Sequence, residues 1–389
     1  MKKNRVVKLG LGIVMVSLMI TSCQGKKTNK SVSNMETSQE TTLDTTLLDT
    51  ESAMLEVESG QEEEDDHERG DTSIIFYASE LEDKYWSNIE RGIEKAKGEL
   101  NLKNLQVIRE QNDFDEVLLD EMGKESRGFS FYLKDPQSKI EVLQDAYKSG
   151  VPIIGIRLEV NDEIRNVLAA HATPDSYAMG QLAATNTYAK LKDKISGVGE
   201  EEVLRLGVIC ENPDNPTIDA RTQGYIDKMA DLLGFSKTSV EGYEKYNREV
   251  ETSKYMIEVV APTVLGEFDP EAMRPKINEL LNKQDLITVF ATSQVASECM
   301  LETNQEISRL SAEGILGVGF DSGAVQMQAI REGVLSGAVA INYEQLGYKA
   351  ITMAVTGALG HPLQDVDTGE IWYDAKNIDS DELTAYLYE

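Results

Sequence analysis

The chain has 389 residues, 41% of them hydrophobic, and a formal net charge of -30 at pH 7. That length can hold two ordinary domains with cores of their own, and the apolar fraction is that of a folded protein. So large an excess of carboxylates repels phosphate backbones and anionic lipid, which excludes nucleic acid and an acidic membrane surface as partners.

Lys2, Lys3, Arg5 and Lys8 precede an apolar run from Leu9 to Ile20, followed by Ile20-Thr21-Ser22-Cys23. The run is too short to span a membrane comfortably, and the order of charged, apolar and small residues is that of a secretory signal. Its ending resembles a bacterial lipobox, in which Cys23 is lipidated and the acyl chains hold a soluble body on the extracytoplasmic face of the cell membrane. The alternative is an ordinary signal peptide with an incidental cysteine. Residues 24–70 are rich in Ser, Thr, Glu and Gln and include Glu62-Glu63-Glu64-Asp65-Asp66. Such a stretch reads as a disordered acidic tether, with a docking tail as the lesser alternative. Cys210 and Cys299 fall in apolar patterns and read as buried free thiols, although a disulfide is permitted outside the cell. His67, His171 and His361 are scattered, so no metal centre is expected.

Beyond residue 70, short apolar runs alternate with amphipathic segments. Ile74 to Tyr77 predicts a strand, Ser79 to Lys84 a polar loop, and Trp86 to Leu100 a helix entered through Tyr85-Trp86. Strands follow at Leu105 to Ile108, Phe129 to Leu133, Val151 to Ile156 and Val167 to His171, with a helix through Ile140 to Tyr147. A second set begins near residue 175, with a helix from Tyr177, the strand Val203 to Cys210 and the helix Ala220 to Leu233. Glu241 to Phe268 is hard to read apart from a strand at Met256 to Val260. After it come the helix Pro270 to Leu281, the strand Asp285 to Ala291 and a helix from Ser293. Gly314 to Phe320 and Ala338 to Ile341 read as strands, and Ala324 to Arg331 and Leu346 to Leu359 as helices. This alternation predicts an α/β chain of parallel sheets, with ligands just past the strands' carboxyl ends.

The ordered part resembles the ribose/galactose-type sugar-binding proteins of bacterial ABC importers, a superfamily that also supplies the core of lac-repressor-like regulators. The resemblance rests on the strand-loop-Tyr85-Trp86-helix opening, Pro152-Ile-Ile-Gly-Ile, Asp175-Ser176-Tyr177-Ala-Met-Gly180 and Ala220-Arg221-Thr-Gln-Gly224-Tyr225. Val289-Phe290-Ala291, Val318-Gly319-Phe320-Asp321, Gly333-Val-Leu335, Asp367-Thr368-Gly369 and Asn377-Ile378-Asp379 continue it. It implies two similar lobes, each a parallel sheet flanked by helices, joined by three crossing segments and closing on a ligand. Lobe one would comprise 72–173 and 343–364, and lobe two 174–342 and 365–389, with hinges near Thr173, Asn342 and Gln364.

Carried over position by position, the resemblance assigns ligand contacts to Asp83, Tyr85, Trp86, Asp135, Arg157, Arg221, Phe268, Ser293, Asp321 and Asn342. Asp135 and Asp321 have a plainer reading as helix caps, and Arg221 as a partner of Asp219. The family's fourth strand ends in an Asp-Arg pair, whereas this chain has Arg157-Leu158 with Glu159 next. That change alters which hydroxyls are recognised. Arg157 and Arg221 together would suit a carboxylate-bearing sugar, but Asp83, Asp135 and Asp321 argue against an anion. A neutral sugar is therefore the expectation. The implied protein is a monomer without catalytic residues or cofactor, touching the membrane only through its lipid and handing a small-molecule sugar to an ABC permease. A receptor read by a histidine kinase or chemoreceptor is the alternative. No hydrolase elbow, phosphate loop or dinucleotide fingerprint marks an enzyme, although a glycosidase carboxylate pair stays open.

Overall fold

Ile74, Phe76 and their neighbours begin a sheet buried on both faces, as a parallel strand between helical layers requires. The structure is a computed structural model that describes residues 70–388, apart from 111–112, 125–126, 158–159, 198, 200–201 and 264–267. Cys23 with its signal segment, the tether up to residue 69, Leu158 and Glu159 lie outside the described residues.

The first sheet has six strands, with β1 (Ser73–Tyr77), β2 (Asn104–Ile108), β3 (Arg127–Phe131), β4 (Ile153–Ile156), β5 (Ala170–Thr173) and β12 (Val366–Asp367) in the spatial order β12-β5-β4-β3-β1-β2. The second has seven: β6 (Leu204–Ile209), β7 (Thr238–Glu241), β8 (Tyr255–Val260), β9 (Leu286–Ala291), β10 (Leu316–Phe320), β11 (Leu335–Ile341) and β13 (Glu370–Tyr373), ordered β13-β11-β10-β9-β6-β8-β7. Every pairing is parallel except that of β13 with β11. The expected α/β class with two parallel sheets flanked by helices is what the chain adopts.

The chain passes between the sheets after β5, after β11 and between β12 and β13. The last passage falls at Thr368-Gly369 and not at Gln364, because Val366 and Asp367 pair with Ala172 and Thr173 at the edge of the first sheet. Other differences come from local chemistry. The first long helix, α1 (Asp83–Glu99), starts three residues before Trp86, so Asp83 and Lys84 are helical instead of loop and Tyr85 and Trp86 lie within the first turn instead of at its entrance. A helix at Phe114–Glu121, here α2, and the polar edge strand β7 carry too weak an apolar period to be read. The next helices are α3 (Ile140–Lys148), α4 (Asp162–Arg165) and α5 (Ser176–Ser196). Then comes α6 (Pro216–Leu233), which begins at Pro216 behind the Asn215 cap because proline presets the first helical φ. The series ends with α7 (Pro270–Asn282), α8 (Gln294–Ile307), α9 (Ala324–Arg331) and α10 (Tyr343–Ala358).

Two glycine seams fix the helices that carry the site. A Cβ on Gly224 of α6 would lie 2.1 Å from the Tyr177 carbonyl oxygen, and one on Gly180 of α5 would lie 2.0 Å from that of Arg221. The first sheet repeats the device, with Gly92 of α1 against the Glu344 carbonyl and Gly347 of α10 against that of Ile89. Backbones this close leave room only for hydrogen, so α5 packs directly on α6 and α1 on α10.

Candidate functional site

The carboxyl ends of strands from both sheets empty into one cavity of about 430 Å³. β1 leads to Glu82, Lys84 and Tyr85, β3 to Tyr132, Leu133 and Lys134, and β4 to Arg157. From the other side, β6 leads to Glu211 and Asn215, β9 to Ser293 and Gln294, and β10 to Asp321, with Arg221 reaching in from α6. A second hollow of about 530 Å³ opens beside Leu316 and Leu335, at the amino ends of β10 and β11, where this topology presents no ligand groups.

Two residues facing the cavity stand in left-handed backbone directly after a strand: Arg157 with φ 51° after β4 and Asp321 with φ 65° after β10. Such a conformation costs about 1–2 kcal/mol for a side-chain-bearing residue and persists where the surroundings hold it. Both side chains line the cavity, and Asp321 meets Tyr343 across the two halves. The Arg157 guanidinium lies 5.0 Å from the Tyr85 ring centre and 5.3 Å from that of Tyr343. Tyr85 and Tyr343 are stacked at 4.5 Å and 7°, and Tyr388 of the carboxyl-terminal tail meets both edge-on. One face of Tyr85 is therefore already taken by Tyr343.

Asp321 is buried, accepts a hydrogen bond from the Tyr343 hydroxyl at 2.7 Å and accepts another from the Ser322 amide at 3.1 Å. Burial pushes its carboxyl above the ordinary range, opposed by Arg157, the Tyr343 hydroxyl and Arg221. Arg221 is 3% exposed. Its Nη1 donates to the Thr292 carbonyl, its guanidinium lies 3.5 Å from the centre of the Phe320 ring, and its buried Nε has no hydrogen-bond partner. Burial pulls the arginine down to about 10; Asp321 resists this and Arg157 adds to it.

Tyr85, Arg157, Arg221, Ser293 and Asp321 thus meet in one cavity, and the other candidates do not. Successive helical residues point about 100° apart, so a helix starting at Asp83 puts Asp83 roughly opposite Tyr85 and turns Trp86 aside. The Asp83 side chain is 99% exposed and pairs with Arg109, whose guanidinium also covers the Trp86 ring at 4.1 Å. Asp135 is exposed and caps a short 3-10 turn by accepting from the Ser138 amide. Phe268 packs on the core under α7 beside a separate hollow with Pro262, Pro270 and Met273. The aromatic under the second-sheet arginine is Phe320. Asn342 stands at a crossing, accepting from the Gln345 amide as the α10 cap and donating its own amide to the Gly369 carbonyl. Ser293 lines the cavity while capping α8 through the Ala296 amide.

Sequence reasoning missed Glu82, Lys84, Tyr132, Glu211, Gln294, Tyr343 and Tyr388. Glu82 and Lys84 form an ion pair at 2.8 Å. Tyr388 lies one residue from the end of the chain, where no strand or motif points to it. The tail that carries it bridges both halves: the Leu387 carbonyl accepts from Asn88 of α1, and the Tyr388 amide donates to Ser322. Cys210 and Cys299 are buried free thiols, and burial raises both to about 11. Among the described residues no cluster of potential ligands could hold a metal ion.

Two parallel α/β sheets, three chain crossings and a cavity fed by the strand ends of both are the architecture of a solute-binding protein. The periplasmic binding protein domain model matches residues 74–361, and the chain belongs to that family. The family is extracytoplasmic, and no helix among the described residues is long and apolar enough to cross a membrane. No curated protein sequence matches the chain. Among solved structures it is similar to a Brachyspira murdochii protein described as an ABC transporter and LacI family transcriptional regulator, with TM-score 0.65 and 21% identity over 82% of this chain and 99% of that one. It is also similar to an Agrobacterium vitis ABC transporter solute-binding protein with bound D-fucose, with TM-score 0.58 and 16% identity over 81% and 100%. AraP, an arabinose-binding protein from Geobacillus stearothermophilus, gives TM-score 0.59 and 18% identity over 79% and 98%. At these identities the likeness is one of fold.

Proposed function

We propose that this protein captures a monosaccharide-sized sugar in the cavity between its two sheets and delivers it to an ABC permease, held to the outer face of the membrane by lipid on Cys23. The observation that carries this reading is the convergence of both sets of strand ends on one polar cavity of about 430 Å³. That volume lies near the small end of ligand pockets and is lined by tyrosine, arginine and carboxylate groups able to bond hydroxyls. Lobe one ends with β5 and resumes through α10 and β12. A ligand touching Arg157 from one side and Arg221 from the other favours the closed arrangement of the lobes. The D-fucose bound to the Agrobacterium vitis protein and the description of AraP as an arabinose-binding protein support a sugar.

Calorimetric titration of the purified protein against monosaccharides and amino acids tests the reading. One sugar should bind with a single site, and at about 100 times its Kd should add roughly 2.7 kcal/mol to stability. Binding of amino acids with no response to any sugar would overturn it. Deleting the gene should abolish uptake of the bound sugar; intact uptake with a lost transcriptional response would assign the protein to sensing.

A further inference from the structure

The cavity carries more positive than negative groups although the chain as a whole is strongly acidic. Lys84, Lys134, Arg157 and Arg221 face it, against Glu82, Glu211 and Asp321. Glu82 is taken by Lys84. Among the described residues neither Arg157 nor Arg221 forms an ion pair, and Asp321 is the one carboxylate whose charge acts on both. Asp321 is itself held by Tyr343 and Ser322. The two aspartates that spoke for a neutral ligand, Asp83 and Asp135, stand outside the cavity, one on Arg109 and one on a turn. Glu211 also acts on Arg221 and Glu82 on Arg157, but Asp321 is the carboxylate the two guanidiniums have in common, and the buried Nε of Arg221 has no hydrogen-bond partner.

Resting on the sugar-binding reading, we propose that the solute is an acidic sugar whose anionic group sits between Arg157 and Arg221 and supplies the missing negative charge. A guanidinium fork matches a planar carboxylate edge to edge, with the unpartnered Nε and a terminal nitrogen as the natural pair of donors. Burial of Arg221 and its repulsion from Arg157, which together weaken its hold on a proton, are relieved by such an anion. The tyrosines and Gln294 remain for the hydroxyls.

The test is a set of titrations of the purified protein with D-galactose and D-galacturonate, D-glucose and D-gluconate, and D-ribose and D-ribose 5-phosphate. The acid should bind roughly 10- to 100-fold more tightly than its neutral counterpart, the margin of charge-assisted hydrogen bonds. Arg157→Gln should erase most of that ratio, and Arg157→Lys should keep part of it. The variants' unliganded Tm separates loss of recognition from loss of fold. A preference for the phosphate over the carboxylates supports the proposal and identifies the anion. A neutral sugar that binds as tightly as its acid, or a ratio untouched by Arg157→Gln, overturns the proposal and leaves sugar binding standing. Silence toward all six overturns both.

Discussion

Tyr343→Phe removes one oxygen from the contact that joins the two halves at the cavity. Tyr343 opens α10 directly after the second crossing, is fully buried, and donates to Asp321 Oδ2 at 2.7 Å. A hydrogen bond to a charged acceptor contributes about 1.5–3 kcal/mol, and the substitution removes one of the two bonds that the Asp321 side chain accepts. In a body of this size the loss corresponds to a fall of roughly 2–4 °C in Tm. The penalty depends on an ionised Asp321. Because burial raises that carboxyl above its unfolded value, stability from its retained proton is present at low pH and is lost as pH rises through the folded value. The hydroxyl supports the ionised form, so Tyr343→Phe should cost most near pH 8 and progressively less as Asp321 protonates. Thermal unfolding at both ends of that range, repeated in an Asp321→Asn background, reads the charge-dependent part. The carboxamide still accepts a bond but carries no charge, so there the substitution should cost about 0.5–1.5 kcal/mol. An equal loss in both backgrounds, or none in either, would refute the assignment of Tyr343 as the support of an ionised Asp321.

Gly224→Ala forces a methyl to within 2.1 Å of the Tyr177 carbonyl oxygen and should destabilise by roughly 1–3 kcal/mol in chemical denaturation, whereas Gly98→Ala, with nothing within 4 Å, should stabilise slightly through helix propensity. Glu370, at the start of β13, is pushed up to about 7 from an ordinary 4.5 by burial and then by Asp367 and Asp175, and its Oε2 is unpartnered. The folded protein keeps a proton there that the unfolded chain releases, so stability from this group is present below 4.5 and lost as pH rises through 7. Glu370→Gln should therefore leave pH 4 stability unchanged and add about 1–2 kcal/mol at pH 8, allowing for partial exposure. Asp83→Ala and Asp135→Ala should leave the Kd of the bound sugar within about twofold, since a surface ion pair and a turn cap are worth at most about 1 kcal/mol of stability and neither faces the cavity.

The alternation of buried strands with amphipathic helices made the architecture legible, because a strand covered on both faces must be apolar throughout and Ile74 to Tyr77 or Leu286 to Ala291 can be little else. Where one face meets solvent or the element is short, as in β7 and α2, that constraint vanishes and so did the reading. The site was legible where a strand end fixes it. Arg157, Ser293 and Asp321 each follow a strand and cannot leave the cavity without moving the sheet. Asp83 and Trp86 failed because a start of α1 three residues earlier rotates side chains by most of a turn, and no residue between Ser79 and Tyr85 announces that start: Glu82 makes no side-chain cap. Tyr343 and Tyr388 come from a crossing and a tail, positions that local pattern cannot place in space.

Arg157 shows why the charge of this cavity belongs to the ligand and not to packing. A left-handed arginine costs about 1–2 kcal/mol that aspartate, more tolerant of that backbone, would mostly avoid. The resemblance drawn from the sequence implies aspartate at this place. Arg157→Asp is therefore a substitution the backbone should accept, with an unliganded Tm close to that of the parent. It leaves Arg221 facing two carboxylates, so the cavity becomes short of positive charge and the repelled anion loses its partner. Affinity for the acidic member of a sugar pair should fall at least 100-fold while that for the neutral member falls far less, reversing the order of the two. An unchanged order, measured by the same titrations on a variant that keeps its Tm, would mean that Arg157 serves the tyrosine stack and that the solute is recognised by its hydroxyls alone.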